Sequence, residues 1–215
     1  MRVKQLQRGA SHYVLSRISQ FVMVFLTIVF SGSIHASDYT GYVGLSLGSS
    51  EVNFKNVQTA AGATLDGEDS AFKIFGGVNL HENFAIEGSY VDFGEAVLTM
   101  PFGSVLTVNG VSVVSIGATG VAKSTADALA LAGVVKGDVG IAEFFFKGGM
   151  HSWESEFTSD FSNVANSSTD GFDLFFGLGA NIEVSDAFAV RLEFENYTLE
   201  DDDIDVMTLG GIYRF

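Results

Sequence analysis

The chain has no cysteine and a single proline. Without thiols there can be no disulfide staples, no thiol nucleophile and no thiolate metal site. Positive charge is also scarce, with 11 Lys+Arg against 26 Asp+Glu. A nucleic-acid partner needs a basic face, so none is expected. No apolar run reaches the ~20 residues that a membrane-spanning helix requires. Yet 47% of the chain is hydrophobic, 13% is aromatic and the mean hydropathy is +0.30. That is far too much apolar surface for a disordered polymer. The apolar residues must therefore be used in something other than a continuous helix, within the one domain or two small ones that 215 residues allow.

The first segment reads as an address. Arg2, Lys4, Arg8 and Arg17 precede the apolar run Ile18 to Phe30, and Ser31 to Ala36 is small and mostly polar. This is the order of a secretory signal peptide, with residues 1–36 removed after Ala36 and the domain spanning 37–215. Removal takes away those four positive charges and no acid, leaving 7 Lys+Arg against 26 Asp+Glu, a net charge of −19.

Beyond the leader the recurring pattern is alternation with period two, the signature of strands. Val43, Leu45 and Leu47 alternate with Tyr42, Gly44 and Ser46; Phe72, Ile74 and Val78 alternate with Lys73, Phe75 and Asn79. Phe84, Ile86 and Tyr90 stand against Ala85, Glu87 and Val91. The segment Ala126 to Val135 is weaker, with Leu129, Leu131 and Val135 against alanines. Four clearer segments follow: Ile141 to Ser152, Phe172 to Ile182, Phe188 to Tyr197 and Met207 to Phe215. The pattern predicts eight strands.

Charge decides what the two faces mean. Lys73, Glu87, Glu143, Lys147, Asp173, Arg191, Glu193, Glu195 and Arg214 all fall on the face opposite the large apolar residues. One face is therefore big, aromatic and uncharged, except for Asp127, which shares the parity of Leu129 at a strand end, and the other is small, Gly-rich and charged. The interior of an eight-stranded barrel is only just wide enough for side chains, which suits the second set. The greasy set then faces hydrocarbon, and only a closed barrel can do that without stranding backbone polar groups. The expectation is an all-β fold: an eight-stranded antiparallel transmembrane β-barrel, an up-and-down meander.

Connections of two lengths alternate along the chain. Leu80–Asn83, Lys136–Gly140 and Glu183–Ala187 read as short turns. Ser49–Ser70, Gly94–Thr125, Trp153–Gly171 and Thr198–Ile204 read as long polar loops. This is the pattern of an outer-membrane barrel with periplasmic turns and extracellular loops, and an even strand count puts both termini in the periplasm. Inside the second long connection, Val105 to Val108 and Val111 to Val114 flank Asn109-Gly110, a hairpin signal. It is read as a projecting hairpin, with two further spanning strands as the alternative. Trp153, Tyr90, Phe93 and Phe172 fall near one rim and Phe84, Phe188, Tyr213 and Phe215 near the other, where interfacial aromatics are placed.

Several of these segments resemble the OmpA-like transmembrane domain family. Tyr42-Val43-Gly44-Leu45-Ser46-Leu47-Gly48 is similar to its first strand. Phe75-Gly76-Gly77-Val78-Asn79 followed by Phe84-Ala85-Ile86-Glu87-Gly88-Ser89-Tyr90 resembles its first periplasmic hairpin. Arg191-Leu192-Glu193-Phe194 resembles the seventh strand, and Gly211-Ile212-Tyr213-Arg214-Phe215 the last. The likeness covers most of the chain after the leader, though not the long loops or the fourth strand. It implies location in the outer membrane of a Gram-negative bacterium, and insertion by the barrel-assembly machinery and periplasmic chaperones with Phe215 as assembly signal. It also implies a barrel without the peptidoglycan-binding domain that many relatives carry after it. By position, the family's gating Glu and Arg in the lumen match Glu87 and Arg191. Its Lys on the fourth strand falls near Leu131 and its Glu on the sixth on Asn181, so Lys147 or Lys73 would have to substitute.

The inward charges nearly cancel, as a narrow lumen requires. The candidate lumen network is Glu87, Arg191, Glu193, Lys73, Lys147, Glu143 and Glu195. It is read as the plug of a structural envelope barrel, with a gated pore for ions or small solutes as the alternative and loop-mediated adhesion as a further one. No metal or cofactor is expected; the candidates for a divalent cation are Asp201, Asp202 and Asp203, with Asp66, Glu68 and Asp69 in another long loop. No enzyme is expected either: His151 and Ser152 adjoin, and neighbours on a strand point to opposite faces. The remaining expected partners are outer-membrane lipid and lipopolysaccharide around a monomer.

Overall fold

The computed structural model describes residues 40–215 apart from 56, 61, 109–110, 115–118, 161–164 and 201. The expected leader, the Asn109-Gly110 turn and Asp201 lie outside the described residues. Twelve strands follow one another: β1 Gly41–Asn53, β2 Val57–Ala60, β3 Thr64–Asp66, β4 Glu68–His81, β5 Phe84–Met100, β6 Val105–Val108, β7 Val111–Val114, β8 Gly120–Val139, β9 Ala142–Ser159, β10 Ser167–Glu183, β11 Phe188–Leu199 and β12 Asp202–Arg214.

Eight of them close a ring. The order β5-β4-β1-β12-β11-β10-β9-β8 returns on itself through a β5–β8 pairing, and every pairing is antiparallel. The seam joins the first strand to the last residues. Gly41 and Phe215 exchange backbone hydrogen bonds of 2.9 Å in both directions, which extends the β1–β12 ladder to the last residue. No edge of the barrel wall is left open, so the backbone is satisfied within the ring.

The side chains sort as the alternation predicts. Leu45, Leu47, Phe146, Leu174, Leu178 and Leu209 stand exposed on the outside, Leu47 at 66%. Lys73, Glu87, Lys147, Arg191, Glu193 and Glu195 are enclosed, none above 2% exposed. Burying this polar set while exposing leucine inverts the arrangement of a water-soluble domain, and it fits a wall bathed in hydrocarbon.

The loop end corrects the sequence reading. The strands run well past the apolar belt, and β8, read as the weakest, is the longest at 20 residues. Trp153–Gly171 is largely strand, its connection shrinking to residues 160–166, and the Thr198–Ile204 connection contracts to the two positions between Leu199 and Asp202. Beyond the belt, backbone pairing continues without an apolar face to announce it. Val105–Val108 and Val111–Val114 do form a hairpin outside the barrel. β2 adds to it, giving a separate three-stranded sheet β2-β6-β7. Where β5 leaves the belt, the ladder to β8 slips between Asp92 and Glu95. Gly94 adopts φ +74 there, a conformation that glycine reaches at no steric cost, as a bulge requires.

Candidate functional site

The centre of the lumen is a layer of six ions. β4 supplies Lys73, β5 Glu87, β9 Lys147, and β11 Arg191, Glu193 and Glu195, each at an inward position of its strand. Lys147 Nζ lies 3.1 Å from Glu87, 2.7 Å from Glu193 and 2.6 Å from Glu195. Lys73 Nζ reaches Glu193 at 2.6 Å and Glu195 at 2.7 Å. The Arg191 guanidinium meets Glu87 at 2.7 Å. Two phenols complete the carboxylates: Tyr42 donates to Glu87 at 2.9 Å and Tyr197 to Glu195 at 2.8 Å.

Three acids and three cations leave this layer formally neutral. That balance matters because stripping water from an ion costs several kcal/mol, which only close partners offset. Removing one member would leave a buried charge unmatched. Small residues make the close approach feasible. A Cβ on Gly177 would lie 2.9 Å from Glu195 Cγ and 3.0 Å from Lys147 Cε, so glycine leaves room for the two chains to meet.

Apolar and aromatic side chains bracket the ions. Toward the termini, Tyr42, Phe75, Ala85, Val134, Phe145, Ala189 and Ile212 form one buried cluster. The Arg191 guanidinium sits 4.4 Å from the Phe75 ring centre and 4.5 Å from that of Phe145, within cation–π range. Toward the loop end a larger cluster includes Val91, Phe93, Trp153, Phe175, Tyr197, Ile204 and Val206. Phe175 and Tyr197 stack at 4.8 Å, with Phe93 and His151 edge-on to Tyr197 at 5.0 and 5.1 Å.

Asn181 carries the polar network past the first cluster. Arg191 Nε donates to Asn181 Oδ1 at 2.9 Å, and Asn181 Nδ2 donates to Glu143 at 2.7 Å. Glu143 also pairs with Lys136 at 2.8 Å and has Arg214 at 3.7 Å. The cavity at this mouth, bounded partly by Asn181, Arg191 and Glu143, measures about 10 Å³. That is room for a single water and no more.

All seven residues of the candidate network line the lumen. Six meet in one layer, while Glu143 belongs to the terminal-end group and joins the layer through Asn181. Leu131, at the family's lysine position, is 57% exposed on the outer wall; Lys147 holds the place among the carboxylates. Sequence reasoning missed Lys136, which it assigned to a turn, and the phenols Tyr42 and Tyr197, although both share parity with the inward charges. It also set Trp153 and Phe93 at the rim. Both are buried in the loop-end cluster, and Trp153 Nε1 donates to Asp173 at 2.8 Å. Tyr90 is buried too, whereas Phe84, Phe172, Phe188, Tyr213 and Phe215 are exposed as expected.

The other candidates do not assemble. Asp202 and Asp203 succeed each other on β12 and so project to opposite sides. Asp202 accepts from the Lys55 amide at 3.0 Å and Asp203 pairs with Lys55 Nζ at 2.8 Å. Among the described residues no group of three His, Asp or Glu side chains gathers in a way that could hold a metal. His151 is buried in the lumen with Nε2 3.0 Å from the Thr198 carbonyl, on the opposite side of β9 from Ser152.

Above the aromatic cluster the barrel opens into a vestibule of about 190 Å³. Phe93, Ala126, Trp153, Leu199 and Ile204 are among its walls, and Glu200 and Asp202 line it as well.

A family model described as outer membrane protein beta-barrel domain matches residues 22–215. No curated protein matches the sequence. Among solved structures, Ail, the attachment invasion locus protein of Yersinia pestis, in complex with the heparin analogue sucrose octasulfate, superposes with a TM-score of 0.50 at 14% identity, over 81% of this chain and 99% of that one. The N-terminal β-barrel domain of Pseudomonas aeruginosa OprF gives 0.50 at 10% identity, over 81% and 97%. Neisserial surface protein A gives 0.50 at 8%, over 81% and 97%. Identities this low speak for the fold alone. The closed ring of eight strands, its apolar outer wall and the family match over nearly the whole length agree: the chain belongs to the outer membrane protein β-barrel domain family.

Proposed function

We propose that the protein is a structural component of the outer membrane of a Gram-negative bacterium, with a lumen that holds the barrel together and does not conduct. The observation that carries this reading is the neutral six-ion layer lying beneath the stacked Phe175 and Tyr197. A permeating ion would have to displace the buried cluster around those rings, with Phe93, Trp153 and Val206 among its members, and then compete with pairs already at contact distance.

In this reading residues 1–36 are a leader removed on export, and periplasmic chaperones and the barrel-assembly machinery receive the chain with Phe215 as the signal. Both termini and the short turns face the periplasm, and the long strand extensions face the exterior among lipopolysaccharide. The protein works as a monomer, its outer wall covered by lipid. The acid-rich end then lies outside the cell, where water solvates it.

Ion flux from liposomes tests the reading. Vesicles carrying the refolded barrel should release entrapped potassium no faster than protein-free vesicles. Release that scales with the amount of protein would contradict it.

A further inference from the structure

The vestibule at the loop end is a blind cavity with a chemistry of its own. Its volume of about 190 Å³ compares with roughly 150 Å³ for an apolar protein cavity that takes up benzene. A single-ring molecule fits. The walls used here are Phe93, Ala126, Trp153, Leu199 and Ile204, while two wall hydroxyls, Ser124 and Ser155, lie 3.2 Å apart and satisfy each other. The indole of Trp153 is pinned by its bond to Asp173, so that wall is preformed.

The charged groups lining the cavity are all acids: Glu200 and Asp202. Glu200 is held there by a turn with φ 55, which a non-glycine residue seldom adopts. The cations nearby do not neutralise this end, because Lys55 is engaged with Asp203 and Lys123 with Glu95. An anion would meet the negative field of the whole acid-rich rim before reaching the apolar floor, whereas that field concentrates cations.

We infer that the vestibule binds a small amphiphilic organic cation, with its ring or branched alkyl body against Trp153, Phe93 and Ile204 and its ammonium at Glu200 and Asp202. The site is a receptor and not an entrance, since the aromatic floor closes beneath it. It rests on the closed lumen of the proposed function, and potassium release from vesicles tests that reading separately from amine binding.

The test is titration of the refolded barrel in phospholipid nanodiscs with 2-phenylethylamine, followed by the fluorescence of Trp153, the only Trp of the chain. A saturable change is expected. Phenylacetate, of the same body and opposite charge, should bind at least about tenfold more weakly. Asp202→Asn should weaken the amine about threefold, the scale of one water-exposed ion pair. Ala126→Leu and Ser155→Leu fill the cavity from different strands, and either one, once its heat-dependent gel shift shows a folded barrel, should abolish saturation. The inference is overturned if the amine gives no saturable change, if phenylacetate binds as well, or if a folded, filled variant titrates like the parent.

Discussion

The middle of the lumen and the loop end carry the same ionic side chains under opposite conditions. In the middle, three carboxylates and three cations are shut away from water, and each lies within 3.1 Å of an opposite charge. At the loop end Glu200, Asp202, Asp203 and Asp205 crowd one turn and strand with few cations to meet them. Water makes the difference. A buried charge without a partner costs several kcal/mol, whereas a solvated one is stabilised by its hydration and screened by salt. The barrel thus concentrates its pairing where pairing is compulsory and leaves surplus acid where it is tolerated.

Substitutions that remove one ion from each region should expose that contrast. Lys147→Met strips the cation that touches Glu87, Glu193 and Glu195, and should cost about 3–5 kcal/mol in urea unfolding from lipid vesicles. Lys123→Ala breaks the Lys123–Glu95 pair of 2.7 Å, in which both side chains remain partly exposed. Its cost should stay below about 1 kcal/mol and shrink further in high salt. A large, salt-insensitive loss there would erase the distinction.

The smallest effect is a pH dependence at Asp69. The amides of Ser70 and then Glu95 donate to its carboxyl and hold it below its ordinary value of 3.8. A carboxyl depressed in the folded state adds stability above its unfolded pKa and loses it as pH falls through the folded one. Asp69→Asn should therefore cost slightly at neutral pH and nothing once the medium is more acid than the depressed value. Unfolding midpoints of the two proteins at pH 7 and pH 2 check this, and a gap of equal size at both would contradict it.

The barrel was legible in the sequence wherever hydrocarbon imposes a two-residue rhythm. Leu45, Phe146 and Leu178 must face out and Lys147 and Glu195 must face in, so strand identity, facing and closure followed from pattern alone. Legibility failed past the belt. Water accepts either kind of residue there, so the rhythm fades while the backbone ladder continues, and Trp153–Gly171 passed for a loop. Lys136 was hidden by its company: Gly137, Asp138 and Gly140 spell a turn, yet β8 carries through Val139. The pairing of the six ions was only partly readable. Parity put them in one space, but which cation reaches which carboxylate depends on strand stagger, which no single segment encodes. Trp153 was readable and misread, for it shares the parity of Lys147 and His151.

Single-channel recording in a planar bilayer tests the sealed lumen most directly, with the parent compared against the double variant Phe175→Ala, Tyr197→Ala. The account predicts a silent parent, and a double variant that stays silent because the six paired ions still fill the lumen beneath the lost rings. Regular openings from the parent, altered by Arg191→Ala, would contradict it and make the ion layer a gate.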